Sequence, residues 1–321
     1  MDTVSPGIWN GLRRVSDDRS VFTIVAFDQR DSYLKILPKG ATYDQAVSIK
    51  TDVGDALSPH SSAILLDPEY GLAPAQKIHR NCGLLMALEQ SGYSGDSTYR
   101  HTEMYSDWSV EKIKNMGASA VKVLVYYNPE AGELAEEIEQ LSRQVAIQCK
   151  KYDIPYFLEP IIYSVDADVL KMSPDFAKKR PELICETAKR LGNTGATVLK
   201  MEFPVDAQFD NDRAHWLNTC KAVSQVSPVP WVLLSAGVDF DVFEQQVKMA
   251  CEGGASGFLG GRAIWKESVS MPPDDRRAFL RSTGVQRLQR LSDIADACAR
   301  PWTDFYAPWP AKEHWFADYM C

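Results

Sequence analysis

AVKVLVYYNPEAGELAEEIEQLSRQVAIQCKKYDIPYFLEPIIY, residues 120–163, holds two apolar runs separated by a segment of different period. The runs at 120–127 and 155–163 are rich in β-branched and aromatic residues and lack the alternation of a half-exposed strand. Continuous runs of this kind are strands buried on both faces, as in a parallel sheet. Between them Leu134, Ile138, Leu141, Val145 and Cys149 recur at steps of 4, 3, 4 and 4, the stripe of an amphipathic helix. The stretch therefore reads as strand, helix, strand. Outward from it the pattern repeats in VFTIVAFD (21–28), SAILLDP (62–68), GLLMALE (83–89), VLKMEFP (198–204), WVLLSAG (231–237) and GFLGGRAIW (257–265), which brings the runs to eight. Ser173-Pro174 forms an N-cap and N1 pair that opens one intervening helix; Phe243, Val247 and Ala250 mark another, and Val285 to Cys298 the last. Eight strand–helix units in about 280 residues predict an α/β chain folded as a single (β/α)8 TIM barrel. The alternative is an open doubly wound sheet, but no GxGxxG follows the first strand and no shift in composition divides the chain. The barrel is expected over residues 1–302. An aromatic, proline-rich tail over 303–321 either covers the barrel or a neighbouring subunit, or extends away from the domain.

Composition narrows the function classes. With 321 residues, 45% of them hydrophobic and 24% charged, the chain can bury a sizeable core. Thirty-five Lys and Arg against 43 Asp and Glu give a net charge of −8, without a dense basic run, so no nucleic-acid partner is expected. No stretch approaches the roughly 18 consecutive apolar residues of a membrane span, and residues 1–20 carry no apolar signal-peptide core. A cytoplasmic protein with no membrane partner is the expectation. The seven cysteines are scattered and never form CxxC, and the five histidines form neither HExxH nor HxH, so no metal site and no disulfide framework are expected. The polar, turn-rich segment from Ser91 to Asp107 fits either an active-site loop or a solvated connection.

Four ionisable residues interrupt the apolar runs: Asp28, Lys122, Glu159 and Lys200. They fall on the first, fourth, fifth and sixth strands, and neighbouring strands lie about 4.8 Å apart. If they share the inward phase, two amines and a carboxylate converge inside the barrel. A self-satisfied ion cluster is the structural explanation, but buried charge is costly and apolar replacement is often neutral or stabilising, so chemistry is the stronger explanation. Desolvation and a second cation both disfavour an ammonium, and the free amine can attack a carbonyl. Lys200 is read as the nucleophile and Lys122 as the neighbouring cation; the pattern alone permits the reverse. Ser235-Ala236-Gly237 ends the seventh run, and Gly260-Gly261-Arg262 follows the eighth strand. Barrels often hold a phosphate there, with backbone N–H groups freed by glycine and a planar guanidinium for two oxygens.

These residues make the chain resemble the class I tagatose-1,6-bisphosphate aldolases and the related sulfofructose-phosphate aldolases. The resemblance runs from about Val21 to Trp302 through AFDQR (26–30), SSAILLDPEYGL (61–72), VKVLVYY (121–127), YFLEP (156–160), LKMEFPV (199–205), LSAGV (234–238) and GGRAIW (260–265). It implies Lys200 as the Schiff-base lysine, Lys122 as the neighbour that lowers its pKa, Glu159 as the acid/base residue, and Asp28 as a contact to substrate hydroxyls or the carbinolamine. Ser235, Gly237, Gly261 and Arg262 would hold the C1 phosphate, and Gln29 and Arg30 would face the anion at C6.

The resemblance implies a class I aldolase that needs no cofactor or metal, forms a homo-oligomer, and takes a phosphorylated ketose as its small-molecule partner. D-Tagatose 1,6-bisphosphate would be cleaved to dihydroxyacetone phosphate and glyceraldehyde 3-phosphate. LLDPEYGL and VLVYYN are more like the tagatose-bisphosphate branch, whereas PWVLLSAGVD and GASGFLGGRAIW fit the sulfosugar branch equally, so 6-deoxy-6-sulfofructose 1-phosphate is the alternative substrate. An inactive phosphosugar-binding regulator, opposed by the presence of both Lys200 and Glu159, and an isomerase are the readings from other classes.

Overall fold

In the computed structural model, which describes residues 1–319, the eight runs become eight parallel strands closed into one barrel. In chain order they are β1 (Phe22–Ala26), β2 (Ala63–Leu66), β3 (Gly83–Ala87), β4 (Ala120–Tyr127), β5 (Tyr156–Ile162), β6 (Val198–Met201), β7 (Trp231–Leu234) and β8 (Gly257–Gly260). Each pairs with its sequence neighbour, and β8 closes on β1 with Gly257 opposite Phe22. Closure explains the continuous apolar runs: one face of each strand packs into the barrel and the other meets the surrounding helices. After the strands come α1 (Tyr43–Leu57), α2 (Leu72–Ala75), α3 (Val110–Asn115), α4 (Glu133–Lys151), α5 (Pro174–Gly192), α6 (Arg213–Val226), α7 (Phe240–Glu252) and α8 (Val285–Cys298). Ser173 does cap α5, its side chain accepting the Phe176 N–H.

The barrel has a plugged lower end and an open upper end. Below, the helix Pro6–Val15 crosses the N-terminal ends of the strands, so closely that a Cβ on Gly83 would meet the Arg14 carbonyl oxygen at 2.4 Å. The tail begins at this same end. Tyr306–Pro308 pairs in parallel with Asp2–Val4, and the Tyr306 hydroxyl donates to the Thr197 carbonyl at 2.8 Å, just below β6. Trp315 and Phe316 farther along are exposed, while Met320 and Cys321, the end of the expected tail, lie outside the described residues.

Above, the chain leaves the ladder earlier than the apolar runs suggest. Asp28, Ser235, Gly237, Gly261 and Arg262 all follow the last paired residue of their strands, at the rim where barrels carry their sites. The segment from Ser91 to Asp107 forms a small hairpin there, with Ser94–Gly95 against Arg100–His101. The Arg100 guanidinium lies 4.6 Å from the centre of the Tyr93 ring and 5.5 Å from that of Tyr126. No helix among the described residues is long and apolar enough to cross a membrane.

Candidate active site

Side chains of alternate strand residues share a face, and that period of two builds the site. Lys122, Leu124 and Tyr126 on β4, Glu159 and Ile161 on β5, Lys200 with Glu202 just beyond β6, and Ala26 with Asp28 just beyond β1 all line one cavity of about 570 Å³ at the upper end. Below it Phe22 and Phe157 meet edge to face at 5.4 Å and fill the barrel. Phe157 and Glu159 differ by one full period, so the same strand supplies an aromatic floor and a carboxylate above it.

The four ionisable residues converge. Lys122 Nζ lies 2.6 Å from Asp28 Oδ2, 2.8 Å from Glu159 Oε2 and 2.9 Å from Glu89 Oε1. Lys200 Nζ lies 2.8 Å from the same Glu159 oxygen. The lysines therefore differ: among the described residues Lys122 is ringed by three carboxylates, whereas Lys200 pairs with one, which it shares. Burial by itself would lower the pKa of Lys122, but Asp28, Glu159 and Glu89 outweigh burial and hold it well above the ordinary lysine range. Burial would likewise raise Asp28, and Lys122, Lys200 and Arg30 outweigh it, holding this carboxyl well below the usual carboxylate range. Lys122 is thus a fixed ammonium, and Asp28 a fixed carboxylate.

At the ends of β7 and β8 the Gly261 N–H donates to Ser235 Oγ at 3.2 Å. Gly237 adopts φ +81°, and a Cβ there would lie 2.9 Å from Arg262 Cζ, so glycine lets the guanidinium lie against the backbone. Arg262 makes no ion pair with any described residue; burial lowers its pKa, opposed by the fields of Asp28 and Glu159. A half-buried cation without an ion partner among the described residues, lying against glycine backbone at the cavity wall, can receive an anion.

Gln29 and Arg30, adjacent in sequence, diverge in space. Gln29 Nε2 lies 3.3 Å from where a Cβ of Gly261 would stand, so it belongs to the β8 side. Arg30 is 5% exposed and turns to Glu89, donating to its carboxylate at 2.9 Å and its backbone carbonyl at 2.5 Å. Glu89 itself was missed by the sequence reading although it ends the run 83–89 in the inward phase, and Glu202 was missed in the run 198–204 for the same reason. Glu202 accepts the Ile162 N–H at 2.8 Å and pairs with Lys171 at 2.8 Å and Arg180 at 3.4 Å. Lys171 comes from the irregular segment before α5, where nothing in the residue pattern singles it out. Gln90, Ser91, Gly92 and Tyr93 also line the cavity, so the turn-rich segment takes part in its wall.

Residues 22–267 match the DeoC/LacD family of aldolases. This chain belongs to that family. Among its relatives, a tagatose 1,6-diphosphate aldolase of Streptococcus agalactiae is 34% identical, over 91% of this chain and 97% of its own length. One from Listeria monocytogenes is 33% identical, over 95% and 96%. DeoC/LacD aldolases are carbon–carbon lyases, and that reaction class applies to this chain. Solved structures support the barrel: a fructose-bisphosphate aldolase from Plasmodium falciparum superposes with a TM-score of 0.71 at 14% identity, covering 93% of this chain and 98% of that one. An archaeal fructose 1,6-bisphosphate aldolase superposes at 0.61 and 17% identity, with 90% and 98% covered.

Proposed function

We propose that this aldolase cleaves D-tagatose 1,6-bisphosphate, or a closely related ketohexose 1,6-bisphosphate, through a Schiff base on Lys200. The observation that carries this reading is the inequality of the two lysines. Lys122, ringed by Asp28, Glu89 and Glu159, stays an ammonium, while Lys200 faces the cavity with Glu159 alone, 2.8 Å away. Glu159 takes a proton from Lys200, and the freed amine adds to the C2 ketone. Protonation of the carbinolamine hydroxyl by Glu159 and loss of water give an iminium, and Glu159 returns to the carboxylate. That carboxylate accepts the C4 hydroxyl proton as C3–C4 breaks, glyceraldehyde 3-phosphate leaves, and the bonding pair flows into the iminium to give an enamine. Protonation at C3 and hydrolysis release dihydroxyacetone phosphate and regenerate Lys200. Lys122 supplies a permanent positive charge beside the carboxylates, and Asp28 orients the substrate hydroxyls. Ser235, Gly237, Gly261 and Arg262 receive the C1 phosphate, the best use for a guanidinium with no ion partner among the described residues.

The test pairs turnover with trapping. Tagatose and fructose 1,6-bisphosphates and 6-deoxy-6-sulfofructose 1-phosphate are supplied in parallel, with dihydroxyacetone phosphate measured by its enzymatic reduction. Fastest turnover of the sulfosugar would overturn the substrate assignment and leave the chemistry. Borohydride added with dihydroxyacetone phosphate is expected to leave one reduced adduct per chain, on the peptide containing Lys200, and Lys200→Ala to give a folded protein with neither adduct nor cleavage. An adduct on Lys122 would reverse the two lysines. Turnover with no labelled lysine would end the Schiff-base reading.

A further inference from the structure

Lys50 has no part in the reaction above, yet it is fully buried beneath the site. It projects from α1 and its Nζ donates to the Phe27 carbonyl at 2.7 Å, to the Gln29 carbonyl at 2.9 Å and to the Asp67 carboxylate. Three acceptors use all three N–H bonds of the ammonium. The two carbonyls belong to the residues immediately before and after Asp28. Around them, the rings of Phe27, Tyr33 and Tyr70 surround Nζ at 4.6, 5.2 and 5.6 Å, and Phe27 stacks on Trp265 at 3.8 Å. Asp67 holds the neighbouring loop in turn, its Oδ1 accepting the N–H groups of Glu69 and Tyr70 at 3.0 and 2.9 Å.

A buried ion pair is weak evidence of a role, because apolar side chains of similar volume often replace one without loss. The direction of the remaining two N–H bonds is the more informative observation. An apolar residue could fill the space of Lys50, but it could not tie down both peptide carbonyls flanking Asp28. Past Ala26 the chain has left the barrel ladder; across residues 27–29 the Phe27 N–H donates to the Leu65 carbonyl at 2.8 Å and the Phe27 and Gln29 carbonyls are held by this ammonium, before the Arg30 carbonyl accepts the Tyr33 and Leu34 N–H groups at 3.0 and 2.8 Å.

We propose that Lys50 is a positioning residue: its ammonium clamps the chain on either side of Asp28 and thereby sets the carboxylate against Lys122 and the cavity. The consequence for catalysis rests on the Schiff-base reading; the clamp itself concerns only where Asp28 lies. The probe is the double variant Lys50→Met with Asp67→Asn, which removes both charges together and keeps an acceptor for the Glu69 and Tyr70 N–H groups. It is expected to fold, to label at Lys200 with borohydride and dihydroxyacetone phosphate to within about twofold of the wild type, and to cleave tagatose 1,6-bisphosphate roughly 10- to 100-fold more slowly in kcat, as expected for a displaced catalytic group. In an Asp28→Asn background the same two changes should add less than about threefold, because the groups act as a unit. Its crystal structure should show Asp28 out of hydrogen-bond reach of Lys122. If the double variant does not fold, Lys50→Gln, which keeps two donors, takes the same measurements. An unchanged contact between Asp28 and Lys122, or a loss as large in the Asp28→Asn background as in the wild type, overturns the clamp. A wild-type enzyme that turns over but never labels would sink the Schiff-base reading instead, and the position of Asp28 in the variant crystal would still decide the clamp.

Discussion

Arg30 and Arg262 follow neighbouring strands of the barrel, β1 and β8, and both line the same cavity. Arg30 is nearly inaccessible and bound to Glu89 through both its carboxylate and its carbonyl, whereas Arg262 is half-buried and forms no ion pair with any described residue. Two arginines on the same cavity wall thus differ in whether the protein has already neutralised them. A cation with its partner built in holds the wall together; a cation left without one is where an anionic group of the substrate can gain the most.

The largest effect is expected at Arg30. Replacement by Ala strips Glu89 of its guanidinium and leaves Lys122 as its remaining ion partner among the described residues, so the loss should lie at the lower end of the roughly 3–5 kcal/mol typical of a broken buried pair. A clear fall in the midpoint of denaturant unfolding is the expected result. Activity should fall for every ketose alike, because the wall is loosened for all of them. Had Arg30 read the C6 anion, as the family resemblance implies, C6-phosphorylated and C6-sulfonated substrates would suffer selectively over one with a neutral C6. That selective pattern, with unchanged stability, would erase the distinction between the two arginines.

Arg262→Ala should behave in the opposite way. No internal partner is orphaned, so stability should hardly move, while every substrate with a C1 phosphate loses a charge-assisted contact. Using roughly 3 kcal/mol for a hydrogen-bonded ion contact and about 1.4 kcal/mol per tenfold, kcat/KM should fall about 10²-fold. Unchanged kinetics would move the phosphate site elsewhere.

The contrast also marks what the sequence could reveal. Apolar runs separated by helical stripes predict the barrel because both patterns are local, and the helices opened by Ser173 and spanning Val285–Cys298 form as expected. Asp28, Lys122, Glu159 and Lys200 were legible as charges in strands meant to be buried. Glu89 and Glu202 satisfy the same criterion and could have been found by carrying the inward phase to the next alternate residue after Ala87 and Lys200, within the runs 83–89 and 198–204. Pairing was not legible. That Arg30 turns to Glu89, while Gln29 turns to Gly261, depends on which of two successive side chains faces which neighbouring strand end, and on a contact that spans 59 positions of the chain. Lys50 was hidden for a related reason: it sits in an otherwise apolar stripe with Ala46, Ile49, Val53 and Leu57, and its acceptors are backbone carbonyls, which every residue possesses.

The smallest effect concerns a carboxyl at the plugged end, which contrasts with Asp28 at the open one. Asp28 is held low by the surrounding cations. Asp17 has no such compensation: burial pushes its pKa up to about 6, with the neighbouring Asp296 adding to the rise and N–H bonds from Val21 and Arg19 opposing it. A carboxyl whose folded pKa lies above its unfolded value near 3.8 binds its proton more tightly in the folded state. Its contribution to stability is therefore present in full below about pH 4 and is lost as the pH rises through about 6, the reverse of the Asp28 dependence. Because Asp17 is only half-buried and screened by water, the change should not exceed about 1 kcal/mol. Asp17→Asn should remove this component between pH 4 and 6 in unfolding midpoints, with kcat unchanged because the residue lies at the far end of the barrel from the cavity. A wild-type protein whose stability difference from Asp17→Asn is constant across that interval would mean that Asp17 titrates as an ordinary surface carboxyl.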